Sequence, residues 1–296
     1  MWLLIGGDSE IGSATFRQFM TEGRDVTATS RRPTLPQKST ISFDLAAPLD
    51  QWTPPAGTTA VCIFAAIARL AACQSDRVGS ANINVTQTLK LIERLTAAGI
   101  YVLHLSTNQV FDGLTPNMPP DAPTCPVSEY GRQKALAEAG IRELLARGAP
   151  VAVLRIAKVL SPDTPLLREW INALASGQAI RPFTDMTMAP TPIELVARAI
   201  GRLLEARETG FFQLTGPRDV TYAETAYHLA ERLGVDAGVI TPVSGATMNL
   251  PPGNLRPHTT LDSSKLRERF DIIVPDAFAA IDAAMAADLA TRRKHA

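Results

Sequence analysis

The chain has 296 residues, 46% hydrophobic and 20% charged, with 29 basic and 29 acidic side chains and a net charge of zero. Such a chain can bury a sizeable core, as one large or two smaller domains, which excludes a disordered polypeptide. The balanced charge offers no surface to nucleic acid or to an anionic membrane, and the run Arg292-Arg293-Lys294 is too short to change that.

Cys62, Cys73 and Cys125 are odd in number and lack CxxC spacing, and the four histidines (His104, His228, His258, His295) are scattered. This argues against a disulfide framework or a metal site and fits a reducing cytoplasm. The apolar segment Trp2-Leu3-Leu4-Ile5 has no basic flank and is too short for a signal peptide or a membrane span.

Residues 2–6 read as a buried strand running into Gly6-Gly7-Asp8-Ser9-Glu10-Ile11-Gly12, with a helix from Ser13 to Glu22 after it. A glycine loop between strand and helix makes a phosphate-binding turn, because the helix N-terminus offers free N–H groups to a pyrophosphate. The spacing is G-x-x-S-x-x-G, so Gly6, Ser9, Glu10, Ile11 and Gly12 are the first candidate cofactor contacts. A second strand, Asp25 to Thr29, leads into Ser30-Arg31-Arg32. An acidic residue at this point in a dinucleotide fold holds a ribose 2′-hydroxyl, whereas arginine suits a 2′-phosphate. Arg31 and Arg32 therefore favour NADP over NAD; the alternative is a solvated basic turn. Ile41-Ser42-Phe43 is a third strand, followed by Asp44 and Leu45 beside the expected adenine position.

Ala60 to Ala66 is an unbroken apolar run, as expected of a parallel strand covered on both faces, and its small end at Ala65 and Ala66 would let a cofactor approach. A helix is expected over 80–98, capped by Gly99. Asn84, near its start, is a candidate cofactor contact beside a capping or surface role. The strand Ile100 to Leu105 delivers Ser106-Thr107-Asn108-Gln109 to the carboxyl edge of the sheet, where ligands bind in open parallel sheets.

A long proline-containing loop, Phe111 to Val127, precedes a helix capped by Ser128 and running to about Arg147. Tyr130 and Lys134 are four residues apart and share a helix face. A phenol of pKa near ~10 is a poor acid or base at neutral pH, and a neighbouring ammonium would lower that value toward the working range. Such a spacing also arises by chance on ordinary solvated helices. Val151 to Ile156 is a further buried strand.

The βα alternation through residue 157 predicts an α/β protein with a Rossmann-type doubly wound parallel sheet. Residues 1–157 form the expected NADP-binding domain. Residues 158–296, with clustered prolines, a short strand at Phe211 to Leu214 and helices near 193–206, 222–233 and 276–290, form the expected smaller α+β substrate lobe, partly interleaved with the sheet.

With these pieces in place, the chain resembles the extended short-chain dehydrogenase/reductase superfamily, and within it the dTDP-4-dehydrorhamnose reductase (RmlD-like) group. Leu105-Ser106-Thr107-Asn108-Gln109-Val110-Phe111-Asp112-Gly113 is similar to an STDYVFDG block. Tyr130-Gly131-x-x-Lys134 with Glu138 matches YGxxKxxxE, Asp185 with Pro190-Thr191 echoes DQxGxPT, and Arg256-Pro257 with Leu261-Asp262-x-x-Lys265-Leu266 looks like RP…LDxxKL. The resemblance implies Tyr130 as proton donor to a substrate carbonyl and Lys134 as the ligand of the nicotinamide ribose that lowers the phenol pKa. It makes Thr107, before Ser106, the hydroxyl that holds the reacting oxygen. Asn108, Gln109, Val110, Phe111, Lys158 and Arg256 become substrate contacts, and Ser106, Tyr130 and Lys134 also border the cofactor.

The departures from the group fall where substrate is expected. Asn108 and Gln109 replace an acid and a tyrosine, Met186 and Met188 replace a glutamine and a glycine, and Arg155-Ile156-Ala157-Lys158 stands for RTSW. Lysine for tryptophan exchanges a stacking surface for a point charge. The implied function is NADP-dependent reduction of a keto-sugar, nucleotide-linked, in the cytoplasm, with a homodimer by analogy. The alternatives are an epimerase or dehydratase of the same superfamily, or a non-catalytic subunit like the regulatory subunit of methionine adenosyltransferase.

Overall fold

The computed structural model describes residues 1–32, 39–248, 250 and 253–293, with side chains in the last helix described as far as Ala286. Lys294 of the basic tail lies outside the described residues. Seven strands form one parallel sheet: β1 (Trp2–Ile5), β2 (Val26–Ser30), β3 (Thr40–Ser42), β4 (Ala60–Ile63), β5 (Tyr101–Thr107), β6 (Val151–Ile156) and β7 (Gly210–Leu214). Their spatial order is β3-β2-β1-β4-β5-β6-β7, and every neighbouring pair is parallel. The chain therefore starts mid-sheet, runs to one edge, then crosses back to the other. That reversal puts the carboxyl ends of β1 and β4 beside a crevice.

Strand side chains alternate between faces, so each central strand feeds two cores. Leu4, Ala28, Cys62, Leu103 and Leu154 lie on one face beneath helices α1 (Glu10–Thr21) and, from the C-terminal half, the helix Ile193–Ala206. Leu3, Ile5, Val61, Ile63, Val102 and Val153 lie on the other, with Leu91, Ile92 and Ile141. The covering elements between β4 and β6 are α2 (Leu70–Ser75), α3 (Arg77–Ala81), a π-helical turn at Asn82–Gln87, α4 (Thr88–Ala97) and α5 (Glu129–Ala146). The single helix expected over 80–98 is thus broken. The π turn widens the backbone and directs Asn84 inward, and two short helices at 70–81, absent from the sequence reading, lead into it.

Beyond β6 the chain adds α6 (Pro165–Ala175), α7 (Ile193–Ala206), α8 (Tyr222–Leu233), α9 (Ser264–Phe270) and α10 (Ala277–Arg293). Leu167, Trp170, Ile171, Leu229, Ile281 and Met285 share a separate core there. Helix α6 was not expected from the sequence; Pro165 stands at its first position, where a missing N–H costs nothing. The strand foreseen at 211–214 pairs along its whole length with β6 as the seventh strand of the main sheet.

Candidate functional site

The glycine loop is shaped by contacts that leave no room for a Cβ. Gly6 has φ +80°, and a Cβ on it would sit 2.8 Å from the Ala65 nitrogen. One on Gly12 would meet the Gly6 carbonyl oxygen at 2.5 Å, and one on Gly7 the Ala28 Cβ at 2.7 Å. Ser9 is the N-cap: its hydroxyl donates to Gly6 O (2.8 Å) and accepts from Gly12 N (3.1 Å). Helix α1 therefore begins at Glu10, three residues before the sequence reading, which pulls Glu10 and Ile11 into its first turn. First-turn amides have no carbonyl partner within a helix, so those of Glu10 and Ile11 are open to an anion.

A cleft of about 350 Å³ lies over this loop. Gly6, Ser9, Arg31, Arg32, Asp44, Leu45, Ala65 and Ala66, all candidate cofactor contacts, line it. Arg31 and Arg32 are exposed and form no ion pair among the described residues. The cleft, the tight glycines and the free helix N-terminus together fit a dinucleotide.

Asn84 takes a different place from the one expected. It is 1% exposed, and its side chain accepts from Ile67 N (2.8 Å) and donates to Ile67 O (2.9 Å) and to Gln133 Oε1 (2.8 Å). Ile67 lines the cleft, and Gln133 sits on α5 between Tyr130 and Lys134. Asn84 thus ties cleft wall to helix and has no surface of its own for a cofactor. Gln133, fully buried and bonded also to Ser80 Oγ (2.8 Å) and Glu129 Oε1 (2.9 Å), escaped the sequence reading. A glutamine inside an otherwise charged helix turn carries no signal by itself.

At the next strand end, β5 presents Ser106 and Thr107 on opposite faces. Ser106 donates to Glu138 Oε1 (2.6 Å), inside a buried pair in which Arg155 grips both Glu138 oxygens (3.0 and 2.8 Å). Ser106 is thus committed to Glu138, whereas Thr107 is less firmly held. The Thr107 hydroxyl accepts from Gln109 N (3.1 Å) and makes only a long bond, 3.3 Å, to Asn108 Oδ1. Ser128 caps α5 through Gly131 N (3.1 Å), which places Tyr130 in the first turn as the sequence indicated. Gly131 is required: a Cβ there would collide with the Gln109 carbonyl oxygen.

Lys134 is 2% exposed, and its ammonium donates to Leu105 O (2.6 Å) and lies 2.7 Å from His104 Nε2. Burial lowers its pKa to about 8, against a smaller opposing pull from Glu138. The expected lowering of the phenol pKa by Lys134 is not met in this structure. Burial, with a minor contribution from Cys73, pushes the Tyr130 pKa up, and the lysine is turned toward β5. The phenol therefore starts protonated, the state in which it can donate.

On the substrate side the structure divides the expected contacts. Val110 and Phe111 are 0% and 2% exposed and pack with Ala122, Ala135 and Leu261, so they are core residues with no face for a ligand. Met188 likewise belongs to the lobe core, and Asp185 caps a turn through Ser244 Oγ (2.6 Å) and Gly245 N (2.7 Å). Gln109 reaches Ser128 Oγ (3.2 Å) and Gly253 O (3.5 Å), and Asn108 reaches Thr259 O (3.4 Å). Arg256, 2% exposed, donates to Gly253 O (2.9 Å) and Asn108 O (3.3 Å), while its buried Nη2 has no partner among the described residues. Burial lowers its pKa to about 10. Lys158, half-buried, has its pKa lowered by burial, with Glu10 of the glycine loop opposing.

Comparison with known proteins agrees with this architecture. A family model described as the RmlD substrate binding domain matches residues 1–289. The "Probable low-salt glycan biosynthesis reductase Agl14" of Haloferax volcanii is 29% identical over 223 residues, 72% of this chain and 73% of that one. The fold is shared with MoeE5 in complex with UDP-glucose and NAD (TM-score 0.80, 22% identity, 100% and 99% of the two chains). It is shared also with a dTDP-4-dehydrorhamnose reductase of Clostridium acetobutylicum (TM-score 0.80, 18% identity, 98% and 100%). With the model matched along nearly the whole chain, the protein belongs to the RmlD substrate binding domain family, in the extended short-chain dehydrogenase/reductase superfamily.

Proposed function

We propose that the protein is an NADP-dependent reductase of a keto-sugar, nucleotide-linked, with Tyr130 as proton donor. The observation that carries this reading is the buried Lys134 ammonium, held only by neutral acceptors one helical turn from Tyr130 at the carboxyl end of β5. The glycine loop and the α1 N-terminus would hold the pyrophosphate of the cofactor, and Arg31 and Arg32 a 2′-phosphate. When bound, the nicotinamide supplies the hydride. Tyr130 gives its proton to the carbonyl oxygen, and the Lys134 charge stabilises the phenolate left behind. Thr107 Oγ1 exchanges its long bond to Asn108 for one to the carbonyl and fixes its orientation.

Arg256, with a buried N–H that has no partner among the described residues, suits an anionic part of the substrate such as a diphosphate. The half of the chain from 158 to 296, with its own apolar core, serves in this reading as the substrate lobe. The free thiols of Cys62, Cys73 and Cys125 suit the cytoplasm. No helix among the described residues is long and apolar enough to cross a membrane.

The test is NADPH oxidation with a dTDP-linked 4-keto-6-deoxy sugar, followed at the nicotinamide band. Tyr130→Phe should cut the rate by about 10²- to 10⁴-fold while leaving cofactor binding intact. Full activity in that variant refutes the mechanism.

A further inference from the structure

His104 stands in the centre of the sheet, paired in register with Ile63 of β4 and Val153 of β6. It is 1% exposed, and its Nδ1 is buried without a hydrogen-bond partner among the described residues. A fully buried imidazole beneath a helix covering an apolar layer has a cost that leucine at the same position would not incur. The one polar contact of its ring among the described residues is Lys134 Nζ at 2.7 Å.

An ammonium has three donors and no acceptor, so Nε2 must be the unprotonated nitrogen and the imidazole proton must sit on Nδ1. Two of the three Lys134 donors are then spent on His104 Nε2 and Leu105 O. Both acceptors are neutral. A carboxylate in the place of His104 would hold the lysine as firmly but would cancel its charge toward the phenol.

We infer that His104 is a positioning residue for Lys134: a neutral acceptor that fixes the ammonium against β5, leaves its positive charge uncancelled and leaves its third N–H without a partner among the described residues. The inference rests on the reading of Lys134 as the catalytic lysine. The charged groups around the pair fit this role. On α5, Glu138 is the carboxylate that acts on Lys134, but its oxygens are held by Arg155 of β6 and by Ser106 of β5. Tyr130 lies one turn away on α5, with Cys73 of α2 acting on that phenol. Burial and the neighbouring ammonium both keep His104 neutral, its pKa well below the usual imidazole range.

The test uses the full chain with lysine side chains labelled at Cε, the Lys134 signal being the one lost in Lys134→Arg. In the wild type, long-range proton–nitrogen spectra should show His104 as the Nδ1–H tautomer; the Nε2–H tautomer overturns the proposal without any variant. His104→Leu removes the acceptor, and the Lys134 pKa should fall by about one unit, as expected for loss of one hydrogen bond to the charged form. The alkaline limb of kcat should move to lower pH with it, and kcat should drop about tenfold, whereas His104→Gln, whose amide oxygen can accept, should restore both. A folded His104→Leu protein whose Lys134 titrates as in the wild type overturns the inference. Absence of keto-sugar turnover in the wild type would instead remove the functional reading, since the tautomer and the lysine titration are measured without substrate.

Discussion

Replacing Glu138 by glutamine keeps the shape of the side chain and removes its charge, at a position where neither partner sees water. Glu138 and Arg155 are both 0% exposed. Arg155 directs Nε and Nη2 at the two carboxylate oxygens and Nη1 at Pro120 O (3.0 Å) and Gln213 Oε1 (2.9 Å), so four of its five N–H groups are engaged. Glutamine would turn an amide NH₂ toward either the guanidinium or the Ser106 hydroxyl, and the guanidinium would be left as an uncompensated buried charge. Breaking a buried pair in this way costs about 3–5 kcal/mol. For a chain of this size that corresponds to a fall in Tm on the order of 6–10 °C. Urea titrations of the wild type, Glu138→Gln, Arg155→Met and the double variant Glu138→Leu/Arg155→Met measure it. The double variant, with neither charge, should lose less than the sum of the singles. A Glu138→Gln protein within about 1 kcal/mol of the wild type would refute the reasoning, because Arg155 would then have found its compensation elsewhere.

Further outcomes follow from the same geometry. Arg31→Ala with Arg32→Ala should weaken NADP binding about 10- to 100-fold and NAD binding much less, as read by thermal shift; equal losses for both would show that the arginines do not meet the 2′-phosphate. Gly131→Ala should cost about 1–3 kcal/mol and most of the activity, since the methyl must displace the Gln109 carbonyl; an unperturbed melt would contradict the packing. Lys134 holds its proton to about pH 8 when folded and to its ordinary value of 10.5 when unfolded, so between those values the unfolded chain binds one more proton and stability rises with pH. Comparison of urea melts at pH 7.5 and 9.5 should therefore show a gain of up to about 2 kcal/mol in the wild type that Lys134→Met lacks; the same slope in both proteins would place the lysine elsewhere.

Much of the fold was legible because a parallel sheet covered on both faces leaves an unmistakable imprint. The runs at 60–63 and 151–156 and the glycine loop after β1 are apolar or turn-forming for reasons local to themselves. Where local and tertiary demands diverge, legibility fails. Helix α1 starts at Glu10 because Ser9 folds back on Gly6, an interaction within a loop that reads as irregular. The π turn at 82–87 exists to bury Asn84 against Ile67 and Gln133, partners that lie 17 and 49 residues away. No window along the sequence contains that reason.

The site divides along the same line. The placement of Thr107 at the carboxyl end of β5, and of Tyr130 and Lys134 one turn apart on α5, was legible because a strand end and a capped helix are set by residues close in sequence. What surrounds them was not. Val110 and Phe111 belong to a motif that looks like a substrate wall, yet they pack with Leu261, and Phe111 also lies against Arg155, so most of the motif is core and only Gln109 and Asp112 in it are partly exposed. Met188 departs from the family pattern and is buried in the lobe core, packed among apolar side chains. Lys158 is the contrary case. It is half-buried beside Glu10, forms no ion pair among the described residues, and follows β6, the strand next to the one carrying Thr107. Of the departures read from the sequence, Asn108, Gln109 and Lys158 keep polar side chains near the ends of β5 and β6.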